Sequence, residues 1–315
     1  MTLDPHVAQL MSGLAEQGVP AFHRVSVEQV RSIIDTFVGL QLPAEPVAKV
    51  DSAHYVSDGH ELELRIYTPE SSGPLPVILY FHGGGFVAGS IEVIDEPSRA
   101  IANAAGAIVV AAQYRLAPEH RFPAATDDAW AALNWVADNI GAFGGDPARL
   151  VVMGDSAGGG LAAGVAQRAH DAGAPSVRGQ VLIYPALGPD TAFPSREQFG
   201  EGYVISAADM DFFWENYLPD AASRVNPVAA PTLRGDLSGL PPALVLTTEN
   251  EVLRDEGEDY ARRLADAGVE AVAKRYQGLV HGVFWMSGAV PRCNELRQEV
   301  ADFVARISAA AAVAK

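Results

Sequence analysis

Residues 154 to 158 read Gly-Asp-Ser-Ala-Gly. The apolar run Leu150-Val151-Val152-Met153 precedes them and a small-residue stretch from Gly159 to Ala166 follows, so the order is strand, sharp turn, helix, with Ser156 at the tip. Glycine at 154 and 158 removes the Cβ atoms that would collide where strand and helix cross. A turn of this kind pushes the hydroxyl out of the fold and sets it at a helix N-terminus, where free N–H groups and the helix dipole favour negative charge. The chemistry is acyl transfer, with the serine attacking a carbonyl and backbone N–H groups holding the oxyanion. In a chain with 30 glycines the five-residue pattern also arises by chance; the flanking strand and helix decide for the nucleophile. Gly158 to Ala163 also fit the G-x-G-x-x-A dinucleotide fingerprint. That reading needs an acidic residue at the end of the next strand, and residues 180–185 end instead in Tyr184-Pro185.

A second group lies upstream. The apolar run Val77 to Phe81 leads directly into His82-Gly83-Gly84-Gly85-Phe86. Three glycines after a strand let the backbone fold close to a substrate and turn its N–H groups into a cleft, as in oxyanion loops of the HGGG type. The expected oxyanion donors are the N–H groups of Gly83 and Gly84, joined by that of Ala157. His82 reads as a hydrogen-bonding prop for this loop, and Asp155 as support for the turn at Ser156.

A serine needs a base, and where strand–turn–helix carries the nucleophile, acid and then histidine follow it in the chain. Six of the eight histidines precede Ser156, which leaves His170 and His281. His170 falls late in the helix that follows the serine and would be carried away from it. His281 sits in a glycine-bounded loop after the strand read at 271–276, where a last strand would deliver a base. The acid belongs after the preceding strand, 243–248. The segment that follows offers Glu249, Glu251, Asp255, Glu256 and Glu258. Most suit the first turn of a solvated helix, and one must reach the imidazole.

HGGGF at 82–86, YRLAPEHRFPAATDDAW at 114–130, GDSAGG at 154–159, VLRDEGE at 252–258 and HGVF at 281–284 make the chain resemble the bacterial hormone-sensitive lipase family of α/β-hydrolase esterases. The resemblance implies a mostly parallel eight-stranded sheet flanked by helices and covered by a helical cap. It implies a serine carboxylesterase acting on short- to medium-chain acyl esters through an acyl-enzyme, with neither cofactor nor metal. Ser156 falls on the family's nucleophile and His281 on its base. The acid position, usually Asp, falls on Glu251, with Asp255 the alternative and Glu249 a third choice. Glutamate is one methylene longer, so its loop must sit back by about 1.5 Å. Val252 replaces a proline, and Gln113 stands where the family commonly has Asp. The competing readings are amide or carbamate hydrolysis by the same residues, and a non-catalytic small-molecule binder; the latter lacks a use for a retained Ser156 and His281.

Composition agrees with one enzyme domain: 315 residues, 49% of them hydrophobic, can bury a large core. A net charge of −17 argues against nucleic acid and anionic membranes as partners. The longest apolar stretch, 104–112, is far short of the roughly 18 residues a membrane span needs. No apolar run suited to a signal peptide follows Asp4, and Cys293 is the one cysteine, so a cytoplasmic protein without an internal disulfide is expected.

The elements that must position these residues follow from periodicity. Strands are predicted at 50–56, 62–67, 77–81, 107–113, 150–154, 180–184, 243–248 and 271–276, with a helix at 124–139. Residues 1–45 carry two helices: Asp4 caps an apolar stripe of Val7, Leu10, Met11 and Leu14, and Ser26 with Gln29 forms a capping box before Val30, Ile33, Ile34 and Phe37. Residues 188–240 place Pro-rich turns around Phe212, Phe213, Trp214 and Tyr217. The expected organisation is a cap from 1–45 and 188–240 over a hydrolase core formed by 46–187 and 241–315. The resemblance also implies a homodimer joined near 271–276.

Overall fold

Strands that are apolar on both faces need cover on both faces, and the central strands of this chain are of that kind. The computed structural model describes residues 3–189 and 192–313; residues 1–2, 190–191 and 314–315 of the expected cap and core ranges lie outside these. The strands are β1 (Lys49–Ser57), β2 (His60–Thr68), β3 (Leu75–Phe81), β4 (Ile108–Ala112), β5 (Gly145–Asp155), β6 (Gly179–Ile183), β7 (Ala243–Asn250) and β8 (Ala271–Val280). They form one sheet in the order β1-β2-β4-β3-β5-β6-β7-β8. Only β1–β2 and β2–β4 are antiparallel. β4 and β6 are buried at every residue, whereas β8, at the edge, is largely exposed from Val272 to Arg275.

The helices are α1 (Pro5–Glu16), α2 (Val27–Asp35), α3 (Asp95–Ala105), α4 (Ala124–Asn139), α5 (Ala157–Ala172), α6 (Pro194–Gln198), α7 (Ala207–Tyr217), α8 (Ala221–Arg224), α9 (Arg254–Asp266) and α10 (Cys293–Val313). α3 packs on α10, and α4 on α5, so the two pairs cover the sheet's two faces. Asp4 and the Ser26–Gln29 capping box start α1 and α2, which bury Val7 and Leu10, and Val30 and Ile34. None of the described helices is long and apolar enough to cross a membrane.

Two ion pairs fasten the loops at the strand ends. Arg115 makes a bidentate contact with the fully buried Asp128 of α4, at 2.7 to 3.1 Å. Arg31 of α2 reaches both oxygens of Glu119, and also donates to the carbonyls of Val87 and Ala117. The first contact locks the segment after β4 onto the core, and the second pins an N-terminal helix beside the glycine loop.

Candidate active site

Phe81, at the end of β3, is paired with Gly154, near the end of β5, so the glycine loop and the serine turn leave the sheet side by side. A Cβ on Gly154 would overlap the Gly158 carbonyl, and one on Gly158 would overlap that of Phe81. Strand, turn and helix therefore cross at a separation only glycine permits. Ser156 sits between them at φ 55° and ψ −120°, a conformation that strains any residue with a side chain. Three backbone bonds hold it there: its N–H donates to Ile183 O at 2.9 Å, and its carbonyl accepts from Ala186 N at 2.9 Å and Gly160 N at 3.2 Å.

The loop after β8 brings His281 Nε2 to 3.0 Å from Ser156 Oγ. The loop after β7 brings Glu251 Oε2 to 2.6 Å from His281 Nδ1. The other Glu251 oxygen accepts from Thr248 N at 3.0 Å, and the carboxylate is fully buried. With its proton on Nδ1, the imidazole donates to Glu251 and turns a bare Nε2 toward the serine hydroxyl. Tyr184 flanks the ring, with centroids 4.5 Å apart.

The other candidate acids near the end of β7 face elsewhere. Asp255 accepts from Ser195 N at 2.9 Å and from Arg254 Nε at 2.7 Å, tying α9 to α6. Glu249 accepts from Gly278 N at 2.7 Å. Glu256 is buried and accepts from the backbone N–H groups of Leu187 and Gly188, which anchors the loop after β6. His170 lies against Gly239, away from the serine.

The glycine loop departs from the sequence reading in one respect. Gly84 and Gly85 line the cavity beside Ser156; Gly83 does not. The Gly83 N–H faces the Asp155 carboxylate instead, and is among the groups that favour its charged form. Positive φ at Gly84 (114°) and Gly85 (64°) turns the chain so that the second and third glycines border the cavity, while the first lies against Asp155 and Ser156. Three consecutive glycines are equivalent in sequence, so only the path of the loop distinguishes them. The N–H of Ala157 is the first in α5.

Supporting groups are buried and polar. Burial pushes the Asp155 carboxyl up to about 7, against the hydrogen bond it accepts from Tyr80 Oη at 2.8 Å. Burial pushes the His82 imidazole down to about 4. His82 Nδ1 donates to Gly83 O at 2.7 Å, and its ring stacks on Tyr114, whose hydroxyl donates to His82 O at 2.7 Å. Sequence reading missed Tyr80 and Tyr114, whose hydroxyls lie in apolar strand-end runs that read as core.

The cavity holding Ser156 and His281 is about 40 Å³, and its roof comes from Phe22, Ile34, Phe37, Val204, Ile205 and Phe213. Residues from both 1–45 and 188–240 thus lie over the serine. Among the described residues no three or more His, Cys, Asp or Glu side chains are grouped to hold a metal ion.

Comparison with known proteins places this geometry. Residues 78–285 match a family model described as alpha/beta hydrolase fold. The chain is similar to carboxylesterase NlhH of Mycobacterium tuberculosis, 39% identical over 81% of this chain and 82% of the relative. It is 35% identical to an ethyl acetate hydrolase of Pseudomonas putida over 94% and 96%. Among solved structures, a hyperthermophilic esterase from the archaeon Pyrobaculum calidifontis superposes with a TM-score of 0.91 at 39% identity, covering 98% of this chain and 99% of that one.

Proposed function

The chain belongs to the alpha/beta hydrolase fold family, in its hormone-sensitive-lipase-like branch, and from that premise we propose a serine carboxylesterase that hydrolyses short- to medium-chain acyl esters at Ser156. The observation that carries the assignment of roles is the position of His281, in hydrogen-bond reach of the serine hydroxyl through one nitrogen and of a buried carboxylate through the other.

In the proposed mechanism Ser156 Oγ attacks the ester carbonyl while His281 Nε2 takes its proton. Glu251 holds the ring in the required tautomer and offsets the imidazolium charge. The oxyanion is met by the N–H groups of Gly84, Gly85 and Ala157, set at a helix N-terminus and needing no reorganisation as charge develops. His281 then gives the proton to the departing alcohol. Water enters, loses its proton to His281 and attacks the acyl-enzyme, and the acid leaves as the Ser156 hydroxyl is restored. Gly83 has a different part: its N–H on Asp155 braces the loop. The roof supplied by 1–45 and 188–240 acts as a cap, excluding water from these charges and so strengthening them.

The test is p-nitrophenyl acetate hydrolysis by wild type and Ser156→Ala, with reaction of each with a phosphonate ester followed by intact mass. Wild type gains one phosphonyl group and hydrolyses the ester; the variant does neither. Equal turnover by the two proteins would remove Ser156 from the reaction. We place the protein in the cytoplasm as a homodimer paired along β8; a single cysteine and the exposed edge at 272–275 support this reading.

A further inference from the structure

Two hollows lie back to back above Ser156. The inner one is the cavity of about 40 Å³. The outer one, about 900 Å³, runs between α1, the turn at 19–24 and residues 197–209. Phe22, Phe37 and Val204 line both. Their neighbours in sequence divide between the two sides: Ile33 faces the outer groove and Ile34 the inner cavity, and Ser206 faces outward where Ile205 faces in. The partition is therefore one side chain thick.

The inner cavity has room for about three water-sized groups, which suits the acyl end of a very small ester. Sites for larger organic ligands usually enclose roughly 300–1,000 Å³, a volume that the outer groove offers and the inner cavity does not. Met11 and Leu14 give that groove an apolar floor, continuous with the partition itself. The partition is also fastened. His23 meets Asp209 Oδ1 through both its backbone N–H, at 2.9 Å, and its ring Nδ1, at 2.7 Å, which ties the turn carrying Phe22 to α7. On α7, Phe213 packs its ring 5.8 Å from that of Phe22.

We propose that Phe22, Phe37 and Val204 set the length of ester this enzyme accepts, and that the outer groove seats the aliphatic arm of a longer ester once the partition is opened. The inference rests on the ester-hydrolase reading above. Each methylene that gains burial in the groove raises specificity by about fourfold, so a few suffice for a clear readout.

The experiment measures kcat/KM along two series, p-nitrophenyl acetate to decanoate and ethyl to decyl acetate, for wild type, Val204→Ala and Phe37→Ala. In at least one series the ratio of the longest to the shortest ester rises tenfold or more in the variants. Adding Leu14→Trp to Val204→Ala fills the groove and brings the ratio back to within threefold of wild type. Unchanged ratios in both series, in variants that melt within a few degrees of wild type, overturn the proposal, as does a raised ratio that Leu14→Trp leaves in place. Should the wall variants fail to fold, His23→Ala loosens the same partition without altering its side chains and is judged by the same ratios. Loss of the ester-hydrolase reading would look different: wild type would not cleave even the shortest ester, or Ser156→Ala would cleave it equally.

Discussion

Glu251 reaches His281 with one oxygen and Thr248 N with the other, so the extra methylene relative to aspartate is taken up while both carboxylate oxygens stay bonded. On the proposed mechanism, Glu251→Gln lowers turnover by about 10³- to 10⁴-fold, because an amide favours the wrong imidazole tautomer. Asp255→Asn, which disturbs only the Ser195 and Arg254 contacts, lowers it by less than about tenfold. Ester-hydrolysis kinetics of the two variants decide between them, and the opposite ranking would move the acid to Asp255. His82 makes a prediction about stability. Its folded-state value of about 4 lies below the ordinary 6.5, so between those values the unfolded chain binds a proton that the folded one does not. Stability is fully present above pH 6.5 and is lost as pH falls toward 4, by roughly 3 kcal/mol. Urea midpoints at pH 7 and pH 4 should converge in His82→Gln relative to wild type; an identical fall in both proteins would clear the histidine. Ser156, His281 and the neighbourhood of the acid were legible because spacing and chain order constrain them. That Gly85 rather than Gly83 lines the cavity was not, because it depends on two positive φ angles.

At the scale of elements, α3 and α10 are joined by a buried pair. Arg297 donates to both oxygens of Glu96, at 2.8 and 2.6 Å, and also to Phe284 O at 3.0 Å, in the loop that follows His281. Ser287 Oγ donates to the same carboxylate at 2.9 Å and accepts from Leu42 N at 2.9 Å. Arg297→Met leaves Glu96 buried without its counter-charge, with only the Ser287 hydroxyl still bonded to it, and should cost about 3–5 kcal/mol, most of it recovered in the Glu96→Leu/Arg297→Met double variant. Thermal melts of the three proteins measure this; no recovery in the double variant would mean the pair itself carries the stability. Within α5, Gly158→Ala drives a Cβ into the backbone carbonyls of Phe81 and His82, whereas Ala at Gly164 meets only Val228 O, at 3.7 Å. The first should abolish soluble protein and the second should stabilise it by about 0.5–1 kcal/mol, as read from expression and urea midpoints. The helix predicted at 124–139 is α4 to the residue, since its apolar period is unbroken. β5 starts five residues earlier than predicted and β8 ends four later. Pro147 and Gly278 lie in those extensions and break the pattern a strand shows in sequence; the sheet pairs on either side of each, with a shift of register between.

For the whole molecule, the eight strands follow from apolar runs separated by turn and helix signals, and their number and places along the chain were readable, although α3 and α10 were not. Within 188–240, which the sequence already marked as part of the cover, α6 and α8 were not legible: at five and four residues they are too short for a helical period to stand out. The outer edge of the sheet supports the proposal of pairing, with Val272 45% exposed on β8, the last strand of the sheet. Light scattering should give twice the chain mass of 33.2 kDa, and Val272→Pro should return it to the monomer; a wild-type monomer at micromolar concentration sinks the dimer. The order in which the proposed reacting groups occur along the chain bears on biosynthesis. The strand bearing the nucleophile can join its neighbours early, yet the imidazole at 281 is translated 125 residues after Ser156, and the helix that braces its loop comes later still. On the proposed mechanism, a ribosome-bound fragment that stops short of residue 281 can thus possess the strained serine turn but has no means of deprotonating it, and hydrolytic power should arise abruptly once the loop carrying His281 has been made and folded.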